Sequence, residues 1–112
     1  MYQKLFEQYE VRANIFKAIG HPARLFILEV LKKEEKCVSD LAKMLKADSS
    51  TVSKHLDALK NVGILESHRK GSNVFYSLAT PCIVESVSCA VECAEAVIKE
   101  RAEKQMKIAR FK

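Results

Sequence analysis

Tryptophan is absent from this 112-residue sequence, and glycine and proline are scarce, at three and two residues. So few chain breakers argue against a loop-rich scaffold and favour long elements. Also missing is any hydrophobic run of the about 20 residues that a membrane-spanning helix needs. The nearest candidate, Pro81 to Ile98, is broken by Glu85, Glu92 and Glu95. The N-terminus carries Lys4, Glu7 and Glu10 where an export signal would be apolar. These absences predict a cytoplasmic protein with no membrane partner. No Ser/His/Asp set, phosphate-binding loop or histidine-rich metal site is readable, so neither an enzyme nor an organic cofactor is expected.

What is present is a folding composition, 48% hydrophobic and 29% charged. The length predicts a single domain over residues 1–112, within the about 100–150 residues usual for one core. Nineteen Lys and Arg against fourteen Asp and Glu give a net charge of +5, a weak pointer to a polyanionic partner. The four cysteines form no Cys-x-x-Cys pair, which weakens zinc-ribbon and thioredoxin readings. Without an export signal, reduced thiols are expected. Cys37 stands alone, whereas Cys82, Cys89 and Cys93 fall within twelve positions.

Hydrophobic spacing sets out the elements. Leu5, Phe6, Tyr9, Ala13, Phe16 and Ile19 predict an amphipathic helix over 4–19, closed by Gly20. Pro22 opens a second helix to residue 33 that carries much of the core, and Lys32 to Lys36 reads as a charged connection. A short helix follows over 38–46, with Leu41, Met44 and Leu45 inward. Asp48-Ser49-Ser50 starts another over 49–62, with Val52, Leu56 and Leu59 as its core face. From Ile64 to Leu78 the period changes to two, and Lys70-Gly71-Ser72 marks the turn of a two-stranded hairpin. Thr80, as N-cap, and Pro81 begin a long last helix in which Ile83, Val87, Ala90, Ala94 and Val97 recur. The predicted architecture is mainly α with a small β-hairpin, in the order α-α-α-α-β-β-α.

A short helix, a tight turn, a polar-tipped helix and a hairpin make up a winged helix-turn-helix. A recognition helix buries one face and offers short polar side chains to base edges in the major groove. Ser49, Ser50, Thr51, Ser53, Lys54 and His55 are so placed, and the helix N-terminus favours phosphate. The hairpin tip supplies His68, Arg69, Lys70, Ser72 and Asn73 for the DNA backbone or minor groove. Taken singly, such residues are ordinary caps and solvated turns. Their ordered combination favours double-stranded DNA as partner. Charge adds little, because residues 49–79 carry only +2.

Gly20-His21-Pro22-Ala23-Arg24-Leu25-Phe26-Ile27-Leu28 resembles the second-helix signature of the ArsR/SmtB family of repressors. Ser50-Thr51-Val52-Ser53-Lys54-His55-Leu56-Asp57-Ala58-Leu59 resembles its recognition helix. Gly63-Ile64-Leu65, Arg69-Lys70-Gly71 and Phe75-Tyr76-Ser77-Leu78 resemble its wing. The resemblance spans about residues 11–95. It implies a homodimer joined through the first and last helices, an operator overlapping a promoter, and release when an inducer binds. A dimer also suits a last helix too long for a small monomer to cover.

At 100° per residue, Cys82, Cys89 and Cys93 share a stripe about 40° wide on the last helix. Cys89 and Cys93 are one turn apart, roughly 6 Å along the axis, and can share one ion. Cys82 is roughly 10 Å from Cys89, too far for the same ion in one chain. An antiparallel pair of last helices would bring Cys82 of one chain to Cys89 and Cys93 of the other. Thiolates select soft ions. Zinc and cobalt sensors of the family bind metal across this helix pair. The resemblance puts Cys82 and Cys93 on two of their ligand positions, and Thr80 and Ala96 on the other two. The exchange toward sulfur predicts arsenite, antimonite, cadmium, lead or cuprous copper as inducer. Lys36-Cys37-Val38-Ser39-Asp40-Leu41 resembles the Cys-Val-Cys-Asp-Leu box of arsenite and cadmium/lead sensors, with Ser39 in place of the second thiol. Cys37 is therefore a fourth candidate ligand, a spare thiol or a core residue. Two rivals stand beside this reading. One is a redox- or persulfide-responsive repressor, although Glu29 occupies the second-helix position where some members carry a thiol. The other is a thiol metal buffer that does not bind DNA.

Overall fold

The computed structural model describes residues 2–111. Among them the elements run α1 (Tyr2–Ile19), α2 (Pro22–Lys33), β1 (Lys36–Cys37), α3 (Val38–Leu45), α4 (Ser49–Asn61), β2 (Leu65–Lys70), β3 (Asn73–Leu78) and α5 (Pro81–Arg110). The residues up to Pro81 form one compact unit, and those from Cys82 form a second that is the greater part of α5.

In the first unit the core lies among α2, α3, α4 and the sheet. Ile27, Leu41, Val52, Leu56, Leu59 and Ile64 are fully buried. The predicted core face of α4 is thus the observed one. In α3 the expectation fails at Met44, which is exposed, while Ala42 is buried beside Leu41. The buried face of this short helix is centred between Leu41, Ala42 and Leu45, and Met44 points about 100° away from it.

The hairpin differs from the sequence reading. The sheet has three antiparallel strands in the order β1-β3-β2. Lys36 pairs with Tyr76 and Cys37 with Phe75, so part of the charged connection is an edge strand. Across the wing, Leu65 pairs with Leu78 and Lys70 with Asn73. Gly71 has φ of +63° and Ser72 does not share a positive φ. Positive φ at the first central residue alone defines a type II′ turn, whose twist matches its strands.

Helix ends fix the angles that matter. The turn from α3 to α4 passes through Lys46, a non-glycine residue at φ +53°. The Lys46 and Ala47 N–H groups donate to the carbonyls of Lys43 (3.4 Å) and Ala42 (3.1 Å). After α4, Gly63 takes φ +84°. Its N–H reaches Lys60 (3.0 Å), and the Ile64 N–H reaches Leu59 (3.1 Å). This is a Schellman closure, with Leu59 and Ile64 both buried as its apolar contact. The Thr80 hydroxyl, expected to cap the last helix, donates to the Gly63 carbonyl at 3.3 Å.

Two helices show apolar side chains to solvent. Leu5, Phe6, Tyr9 and Phe16 of α1 are each more than half exposed. Among the described residues of α5, Val84 is the buried one, whereas Val97, Ile98, Met106 and Ile108 are exposed.

Candidate nucleic-acid interface and thiol stripe

The tip of α4 is built on Asp48. One of its carboxylate oxygens accepts from the Thr51 N–H at 3.3 Å and the other from the Ser50 hydroxyl at 3.2 Å. Hydrogen bonds from the Thr51 side chain, then its backbone, then Ser50 hold this carboxyl below its ordinary range. Ser50 and Thr51 therefore serve the cap. Ser49 and Ser53 face the wing turn instead, lining a shallow groove of about 330 Å³ with Ser39, Ser72, Asn73 and Cys37. Lys54 is exposed on the outer side of α4.

His55 is not the free DNA-facing side chain that the sequence suggested. It is half-buried, and its Nδ1 accepts from Arg24 Nε at 3.0 Å. Its ring lies 4.6 Å from that of His21, whose own Nδ1 caps α2 by accepting from the Ala23 N–H. Burial first, then His21 and Arg24, push the His55 pKa down. The reason is angular: His55 stands about 70° from the centre of the Val52–Leu56–Leu59 face, at the edge of the core. Arg24 also donates to the Ala18 carbonyl at 3.2 Å, so one guanidinium ties α1, α2 and α4 together. Arg24 was legible only as part of a family signature, with no role attached.

On the wing, Arg69 is exposed. Strand alternation puts His68 and Lys70 on the other face, over Phe75. The Lys70 ammonium lies 5.4 Å from that ring's centre, and the His68 ring stacks at 6.3 Å. Lys70, expected to be free for DNA, is instead paired with Glu35. His68 Nε2 also contacts Glu35, at 2.7 Å. The hydrogen bond from Lys70, with His68 beside it, lowers the Glu35 pKa. Lys60 is scaffold, donating to the Ser67 hydroxyl at 2.8 Å.

The thiols divide as their spacing implied. Cys82, Cys89 and Cys93 are free and exposed on α5. Cys93, by its charge and its hydrogen bond, raises the Cys89 pKa, with Glu92 adding to it. These two side chains are therefore neighbours. Among the described residues no three His, Cys, Asp or Glu side chains gather into a metal-holding group, so the trio does not converge within one chain. Cys37 is buried and donates to Asp40 at 3.2 Å, with Ser39 at 3.1 Å. Its place is that of a core residue.

A helix pair with a three-residue turn and a sheet wing define a winged helix-turn-helix. The crystal structure of Rv0081 from Mycobacterium tuberculosis matches it with a TM-score of 0.77 at 32% identity, covering 85% of this chain and 96% of that one. The solution structure of the homodimeric winged helix-turn-helix domain of Mb0332 from Mycobacterium bovis gives 0.76 at 25% identity, covering 87% and 90%. In sequence, the uncharacterised transcriptional regulator Rv0081 is 33% identical over 83% of this chain and 82% of its own length. The transcriptional repressor SdpR of Bacillus subtilis is 36% identical over 67% and 83%. The cadmium resistance regulatory protein CadC of Listeria innocua is 32% identical over 77% and 73%. The model of the bacterial regulatory protein, arsR family, matches residues 21–67. The chain belongs to the arsR family of bacterial regulatory proteins, a family of DNA-binding transcriptional regulators. Among its described residues no helix is long and apolar enough to cross a membrane.

Proposed function

We propose that this chain is a cytoplasmic, homodimeric repressor, a single DNA-binding and dimerisation unit over residues 1–112, that leaves its operator when a soft metal or metalloid occupies its last-helix thiols. The adjacent, exposed Cys89 and Cys93 carry the sensing part of this reading. The likeness to a cadmium resistance regulator supports it.

Ser49, Ser53, Lys54, Arg69 and Ser72 contact DNA, while Ser50 and Thr51 fix the α4 start and His55 sets its angle. The exposed apolar residues of α1 and α5 meet a second copy. Arsenite, antimonite, Cd(II), Pb(II) or Cu(I) suits a thiol pair. Cys89 and Cys93 of one chain, with the partner's Cys82, hold the ion as thiolates and release their protons to solvent. Binding then disfavours the DNA-competent dimer, a coupling of about 1–3 kcal/mol. A thiol oxidation switch is the second reading, because the same adjacency suits a disulfide. The raised Cys89 pKa lowers its thiolate fraction and counts against it.

The test is cadmium titration of the reduced protein bound to its own promoter. The expected result is release of DNA together with sulfur-to-metal charge-transfer absorption. Both should be lost in the Cys82→Ser, Cys89→Ser, Cys93→Ser variant. Normal cadmium release in that variant overturns the sensing site; loss through Cys37→Ser alone moves the sensor to the end of β1, before α3. Operator affinity unchanged by Arg69→Ala and Ser53→Ala displaces the DNA face.

A further inference from the structure

Glu35 sits in the short connection between α2 and β1, far from the wing tip in sequence, with its side chain about one-third exposed. Its two oxygens take different side chains of the wing, Oε1 the Lys70 ammonium and Oε2 the His68 ring Nε2. Phe75 lies beneath both, paired with His68 across the strands. The two basic groups on this face of the wing thus have an aromatic floor and a carboxylate wall, whereas Arg69 points to the opposite face. A regulator must find one site among a great excess of other DNA, and indiscriminate affinity comes from phosphates neutralised by cations.

We propose that Glu35 sets the specificity of this regulator by occupying His68 and Lys70, so that random DNA phosphates cannot use them. The inference rests on the DNA-binding reading above. An exposed ion pair is weak and salt-screened. Glu35 therefore acts as a graded brake: a phosphate held in place by a well-seated complex displaces it, and a passing one does not. Burial does not oblige Glu35 to be there, since the exposed His68 and Lys70 side chains would be well hydrated without it.

The experiment measures binding of the full-length wild type, Glu35→Gln, Glu35→Asp and Glu35→Gln/Lys70→Met to a mixed-sequence duplex over a salt series. Glu35→Gln should bind more tightly at low salt, with a slope steeper by about one phosphate. That makes its loss of affinity between about 50 and 200 mM salt roughly 3.5-fold larger than the wild type's. Glu35→Asp should keep the wild-type slope, and adding Lys70→Met to Glu35→Gln should restore it. Circular dichroism of each variant separates misfolding from a change in binding. A folded Glu35→Gln with the wild-type slope, or a Glu35→Asp that behaves like Gln, overturns the Glu35 assignment alone. A wild type with no salt-dependent binding to duplex DNA overturns the DNA-binding reading as well.

Discussion

Arg24→Ala tests whether one guanidinium aligns the recognition helix. Arg24 makes two partly buried hydrogen bonds, to His55 Nδ1 on α4 and to the Ala18 carbonyl on α1. A charged donor contributes about 1.5–3 kcal/mol per bond when buried, and about 1 kcal/mol is the fitting figure at this half-exposed place. The sum is about 2 kcal/mol of stability. With a urea slope of about 2 kcal/mol/M, the unfolding midpoint falls by about 1 M. Circular dichroism at fixed protein concentration reads it, since any dimer makes the midpoint concentration-dependent. A cycle with His55→Ala isolates the α4 bond: the coupling should be about 1 kcal/mol. In the His55→Ala background, Arg24→Ala should still cost about 1 kcal/mol through Ala18. A loss below about 0.5 kcal/mol, the range of an ordinary surface change, refutes the reasoning. So do single effects that simply add.

Other perturbations have equally definite outcomes. Leu56→Ala, at a fully buried position, should cost about 2–5 kcal/mol in urea unfolding and broaden the thermal transition. Lys46→Gly should stabilise by about 0.5–1 kcal/mol, because its φ of +53° suits glycine, and the same measurement would show an unchanged or lower midpoint if the turn were unstrained. His55 has its pKa pushed down by burial, so the unfolded chain binds its proton at higher pH than the folded one. Its contribution is full above about pH 6.5 and is lost as pH falls through the folded-state value. A His55→Gln variant should flatten this part of the stability profile, and a profile identical to the wild type's would assign the acid sensitivity elsewhere.

Local patterns were readable where local forces decide. The Val52–Leu56–Leu59 face follows from helical period, and the α4 start follows from Asp48 because a cap acts within three residues. Gly71 marks its own turn by its φ. Strand β1 was invisible: two residues have no period, and Cys37 meets Phe75 only after the chain returns. Lys70 and Glu35 likewise carry no sign of each other in the sequence, since a charge gives its sign and not its partner. His55 shows the intermediate case. It was placed on the right helix, but a position at the margin of a core face needs its neighbours, His21 and Arg24, before its side can be fixed. The cysteine stripe was legible because its three positions lie on one helix, where the period alone sets their angles.

The strand order β1-β3-β2 leaves the wing with two open edges, and neither invites another strand. One is two residues long; the other, β2, runs Leu65-Glu66-Ser67-His68-Arg69-Lys70. Charged side chains on an outer strand discourage edge-to-edge pairing between molecules. The basic residues of the wing therefore also keep the folded protein from aggregating through its sheet. Neutralising them exposes a stickier edge, so solubility constrains how far that strand can be altered.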